Sequence, residues 1–124
     1  MKQTGASSLG LRLFRRIDVK NQHGNYSDGR KVTGIDFLTG AIAMITTNDS
    51  RIRFVNIITG IILIKLKGHR NDHYFVRASH TSDERGSYAI CGSEDGNVFL
   101  WNQIESNLKN ASAFVKQDQN KLLM

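Results

Sequence analysis

The chain has 124 residues, with seventeen Lys and Arg against eleven Asp and Glu for a formal net charge of +6. Apolar residues make up 40% and charged ones 23%, with eleven glycines and no proline, a balance that excludes collagen, coiled coil and wholesale disorder. The longest apolar run, Ile57 to Ile64, is broken by Thr59 and Gly60, and a membrane-spanning helix needs about 20 residues.

Met1 to Gly10 is polar, so no secretory signal is expected. Arg12, Arg15 and Arg16 faintly resemble a presequence, but Leu9, Leu11 and Leu13 alternate as a strand does, and the reading is a strand over Leu9–Val19. Asn21 to Arg30 is a loop rich in Asn, Gly, Ser and Asp. Strands follow at Val32–Leu38, Ala41–Thr47, Arg51–Ile57 and Ile61–Leu66, separated by Thr39-Gly40, Asn48-Asp49-Ser50 and Thr59-Gly60. The pattern then restarts at Tyr74–Ser79, Ser87–Gly92 and Asn97–Trp101, with Asp95-Gly96 as a hairpin signal. From Glu105 the text turns polar, and Leu108, Ala111, Phe114 and Val115 at helical spacing leave a short helix and a disordered linker as equal alternatives. The chain is read as all-β.

The restart is an internal repeat. Shifted by 46 residues, Thr47 meets Ser93, Asp49 meets Asp95, Ile52 meets Val98, Phe54 meets Leu100, Val55 meets Trp101 and Asn56 meets Asn102. Short strands repeating about every 40–45 residues are the mark of β-propeller blades. Strands apolar on both faces, such as Val98-Phe99-Leu100-Trp101, fit sheets packed between neighbours.

Gly68-His69, 31 further residues and Trp101-Asn102 resemble the Gly-His to Trp-Asp frame of WD-repeat proteins, with Ser93, Asp95, Val98 and Leu100 at the family's strand–turn–strand positions. The stretches SDGRKVTGIDF, TTNDSRIRF, KGH and GSEDGNVFLWN are similar to Rab-binding WD-repeat proteins of the rabphilin type, over residues 11 to about 104. The resemblance implies a partial WD-repeat propeller of two four-stranded antiparallel blades after one earlier strand. The divisions are a basic segment with a strand and loop (1–31), a first repeat (32–67), a second repeat (68–104) and a polar tail (105–124). It also implies a hydrogen-bonded set of His69, Ser93, Asp95 and Trp101, in which the Asp95 charge favours a protonated His69. The first repeat has Val55 in place of the tryptophan and no Gly-His, so it is expected to lack that set and rely on packing. About two blades are fewer than the 4–8 of closed propellers, so the chain is expected to be a fragment that self-associates when isolated.

Sharper chemistry finds little footing. Gly24 to Lys31 nearly spells a phosphate-binding loop, but Arg30 stands where the lysine belongs and a strand follows instead of a helix. His69, His73, His80 and Cys91 could be offered as zinc ligands, yet the first two sit in loop rather than helix. Cys91 reads as a small buried apolar residue. No catalytic set, metal or cofactor is expected. Lys65 and Lys67 read as edge gatekeepers, and Arg53 either contacts a partner or pairs with an acid between blades. Propeller turns carry recognition, which makes Arg30, Lys31, Arg51 and Arg70 the candidate partner-binding residues.

The function expected from the resemblance is a non-catalytic protein–protein interaction scaffold in vesicle or endosomal membrane traffic, related to small-GTPase effectors. The alternative is a basic module for RNA or phospholipid headgroups. A single cysteine fits a reducing compartment, so the expected location is the cytoplasm, with peripheral attachment to vesicle membranes compatible with the basic charge.

Overall fold

A computed structural model describes residues 10–21 and 30–111. The first sheet is antiparallel, with strands β1 (Val32–Thr39), β2 (Ile42–Thr47), β3 (Arg51–Asn56) and β4 (Ile61–Leu66) in sequence order. The second holds β5 (Ser79–Asp83), β6 (Gly86–Gly92) and β7 (Val98–Trp101), also in order. Among the described residues no closed barrel forms.

Turn chemistry separates the strands where glycine or a side-chain cap permits it. Gly60 takes φ +76° between β3 and β4, and the Asn56 carboxamide oxygen accepts the N–H groups of Ile58 and Thr59. Ser50 adopts φ +61°. Pairing places Met44 opposite Phe54 and Thr46 opposite Ile52 on one face, and Ala43 opposite Val55 on the other.

The core lies where the two sheets meet. Met44, Ile52 and Phe54 from the first sheet pack with Ala78, Ala89 and Cys91 from the second. Each is nearly sealed from water, and burying a side chain the size of Met44, Ile52 or Phe54 contributes about 1.5–3 kcal/mol. The approach is close at Gly34 on β1, where a Cβ would sit 2.2 Å from the Cγ of Arg77. Beside it the Thr33 hydroxyl donates to the Val76 carbonyl at 2.6 Å.

Three expectations are corrected. Among the described residues the second sheet has three strands, not four, and of the Tyr74–Ser79 stretch only Ser79 is in a strand, because the backbone before it is held by side chains instead of a ladder: the Glu94 carboxylate accepts from Tyr74 N–H and the Thr46 hydroxyl accepts from Ala78 N–H. The stretch 10–19 forms no strand pairing. It lies along the first sheet, with Arg15 against Gly60 and Asn21 accepting a hydrogen bond from Arg53. The tail begins as a helix, α1 (residues 104–111). Ile104 and Leu108, four apart, put one helical stripe into the core, and the Ser87 hydroxyl accepts the Glu105 N–H at 2.9 Å. Leu9, most of the Asn21–Arg30 loop, and Phe114 and Val115 lie outside the described residues.

Candidate functional site

The β2–β3 turn, the linker from 67 to 78 and the β6–β7 turn gather at one end of the sheets, next to the start of β1. Backbone bonds tie them together: Asn48 N–H to Lys31 O at 3.0 Å, Ser50 N–H to Asn71 O at 3.0 Å and Glu94 N–H to Arg70 O at 2.9 Å.

The first turn carries the polar network. Arg53 donates through Nη2 to Asp49 Oδ2 at 2.9 Å and through Nη1 to Thr47 Oγ1 at 2.8 Å, and the Thr47 hydroxyl donates to Asp49 Oδ1. Both charged side chains are 2% exposed. Burial works against the Asp49 carboxylate, but the hydrogen bonds from Arg53 and Thr47 outweigh it and hold the carboxyl below its ordinary range. The first repeat therefore does not rely on packing alone, and its polar network is a different one, built of Thr47, Asp49 and Arg53. Of the two readings of Arg53, the structure realises pairing with an acid.

His69, Ser93, Asp95 and Trp101 separate into two pairs. His69 meets Trp101 edge-on, ring centroids 5.4 Å apart, and neither of its ring nitrogens has a hydrogen-bond partner among the described residues. The Trp101 indole N–H goes to the Lys67 carbonyl at 3.3 Å. Ser93 and Asp95 share a hydrogen bond that lowers the Asp95 carboxyl, and the Ser93 hydroxyl also accepts from Arg70 N–H at 2.9 Å. Asp95 is exposed and its Oδ1 accepts the Asn97 N–H. The His69 pKa moves down, through burial first and the Arg51 charge second, while the acid that opposes this is Asp49 rather than Asp95. A protonated His69 supported by Asp95 is thus not what this arrangement produces.

Glu94 organises the linker. Its Oε2 accepts the backbone N–H groups of Asp72 at 3.1 Å, His73 at 2.9 Å and Tyr74 at 2.9 Å. Burial opposes ionisation, yet the His73 and Tyr74 N–H donors prevail and the carboxyl sits at about 2. Asp72, His73 and Glu94 bring metal-type donor atoms within 4.8 Å of one another. The Arg70 guanidinium lies 3.6 Å from Asp72 and 3.8 Å from Glu94, which makes the cluster a set of ion pairs fixing a loop. The four residues weighed for zinc are not assembled: His69 is on Trp101, His73 beside Asp72, His80 on β5 and Cys91 in the core. Burial pushes the Cys91 thiol up to about 11, so it carries no thiolate at neutral pH.

The candidate partner-binding residues divide. Arg30 and Lys31 are exposed at this end, and the Lys31 ammonium lies over the Phe75 ring, 5.4 Å from its centroid. Arg70 projects beside Asp72. Arg51 turns back on its own turn, donating to the carbonyls of Ser50 at 3.0 Å and Asp49 at 3.4 Å. Tyr74 and Phe75, 71% and 72% exposed, are surface aromatics that a reading of the basic residues alone passes over. So too is Asn71, fully buried, whose carboxamide donates to the Thr47 carbonyl at 3.2 Å. The dipeptide Tyr74-Phe75 beside a loop was the available signal for the aromatics; nothing local marked Asn71.

No family model matches the chain. It is 34% identical to WD repeat-containing protein 44 of Xenopus laevis over 111 residues, which is 89% of this chain and 12% of that protein. It is 33% identical over 69 residues to WD repeat domain-containing protein 83 of Homo sapiens, 56% of this chain and 21% of that protein. The rat counterpart of the latter matches to the same extent. These curated relatives are WD-repeat proteins and support that family for the chain, which spans 12% and 21% of their lengths.

Proposed function

We propose that this chain, similar to WD-repeat proteins, is a non-catalytic protein-binding scaffold whose contact surface is the loop end bearing Tyr74, Phe75, Lys31 and Arg70. The observation that carries the reading is a pair of adjacent exposed aromatics on a loop already held in shape by Glu94. Aromatics and arginine are the residue types that anchor protein interfaces, and a loop fixed beforehand loses less conformational freedom on binding. The finer reading is an effector-like role toward a small GTPase at a vesicle or endosomal surface in the cytoplasm. It is supported by the sequence resemblance to rabphilin-type WD-repeat proteins and by the basic Lys31 and Arg70 beside the aromatics.

The test is equilibrium binding of the purified chain to a set of small GTPases loaded with a non-hydrolysable GTP analogue or with GDP, with RNA and anionic vesicles run in parallel. Expected is GTP-form binding that weakens at least about tenfold in the Tyr74→Ala/Phe75→Ala double variant, matching loss of hot-spot aromatics. Binding to RNA or vesicles alone, with a log–log salt slope of several units, would replace this reading with phosphate recognition.

A further inference from the structure

The linker between the sheets is bonded on both flanks, to the β2–β3 turn through Asn71 and Ser50 and to the β6–β7 turn through Arg70 and Ser93. Its rings at Tyr74 and Phe75 nevertheless remain 71% and 72% exposed. What lies around them is asymmetric in charge.

The carboxylates at this end are already engaged. Asp49 is held by Arg53, and Asp72 by Arg70 and His73. Glu94 is held by three backbone N–H groups and lies beside Arg70. Asp95 is closed on its own turn by Ser93 and the Asn97 N–H. Lys31 differs from all of these. Its backbone is pinned to Asn48, whose side chain accepts the Lys31 N–H at 2.9 Å and whose own N–H donates to the Lys31 carbonyl at 3.0 Å. Its ammonium stands 5.4 Å from the centroid of the Phe75 ring, and among the described residues it forms no ion pair with a carboxylate. A ring face attracts a cation without neutralising it. Arg30, the preceding residue, is exposed as well. The aromatic pair is therefore flanked by positive charge that no acid at this end of the molecule cancels.

We propose that this surface takes an acidic segment of its protein partner, with an apolar side chain seated on Tyr74 and Phe75 and a neighbouring carboxylate on the Lys31 ammonium. The inference rests on the loop end being the contact surface. The rings supply the apolar anchor and the prior fixing of the loop limits the ordering cost. Lys31 supplies selectivity: an exposed charge contributes little affinity, but it speeds encounter with acidic segments and penalises basic ones.

Selection of the full chain against a library of random twelve-residue peptides tests this, run beside Tyr74→Ala/Phe75→Ala and Lys31→Glu. All three positions are exposed, and unchanged circular dichroism confirms that the variants fold. Peptides that bind the wild type and not the double variant are expected to carry Asp or Glu next to an apolar residue. A synthetic representative is expected to bind Lys31→Glu about five- to tenfold more weakly, as an attraction becomes a repulsion, and to lose affinity as salt rises. Enriched peptides that need the two rings but are neutral or basic overturn the proposal and leave the contact surface standing. Acidic peptides that bind Lys31→Glu as well as they bind the wild type overturn it too. If no peptide depends on the rings while a GTP-loaded GTPase does, the acidic segment alone is refuted. If neither depends on them, the contact surface falls with it.

Discussion

At Thr47–Asp49 and again at Ser93–Asp95, a hydroxyl residue and an aspartate two positions on close the turn between paired strands. In the first turn Arg53 reaches back from β3, and the pair is sealed from water beneath Asn71 and Asn21. In the second, Phe99 stands where the arginine would be and the aspartate faces solvent. The local hydrogen bonds are alike, so the turn motif sets the turn and nothing more. What covers the turn decides whether its charge is a structural necessity. A carboxylate beneath cover requires a cation, whereas one in water requires none.

The largest expected effect follows from this contrast. Arg53→Met strands Asp49 as a buried, uncompensated charge and is expected to cost about 3–5 kcal/mol in urea unfolding. Asp95→Asn is expected to leave the urea midpoint where it was. Equal losses at the two turns would break the comparison. A smaller effect tests what supports the second sheet in place of a fourth strand: Leu108→Ala on α1 is expected to lower stability by about 2 kcal/mol, at the low end for core truncations because Leu108 lies at the rim. A loss no greater than that of a surface substitution would remove α1 from the core.

The smallest effect is on acid sensitivity. The unfolded imidazole titrates near 6.5, and the folded His69 lies lower. Below 6.5 the unfolded chain takes up the proton first, so stability is complete above that value and falls as pH drops toward the folded value. His69→Phe is expected to flatten the stability profile between about pH 7 and 5 while keeping the edge-on packing against Trp101. Retention of the full acid slope in that variant would move its origin elsewhere.

The strands of the first sheet were legible because Ile52, Phe54 and their neighbours alternate between clear turn residues. The shift of 46 residues was legible because Asp49 and Asp95 fall at the same point in each hairpin. The second repeat was harder. Tyr74 to Ser79 has strand composition, yet its backbone is held by Glu94 and Thr46, side chains 20 and 32 residues away from the N–H groups of Tyr74 and Ala78. Propensity has no access to such distant competitors. The surroundings of His69 were hard to read for a related reason. Imidazole orientation depends on which neighbour lies within reach, and in space that is Trp101 and the charge of Asp49. The Arg53–Asp49 pair was half visible, since an arginine between Ile52 and Phe54 on a buried strand calls for an acid. The helix after β7 was one of two open alternatives, and the Ile104–Leu108 spacing decides it once the core is seen.

The linker between the repeats has a mechanical consequence. Its Asn71 exchanges hydrogen bonds with Ser50 and reaches Thr47, its Arg70 N–H meets Ser93, and three successive N–H groups close on Glu94. A segment joining two sheets would ordinarily serve as their hinge. This one is a rivet: any rocking of one sheet on the other must first break bonds to both turns. The two turns are thereby tied to one another through the linker as well as through the shared core.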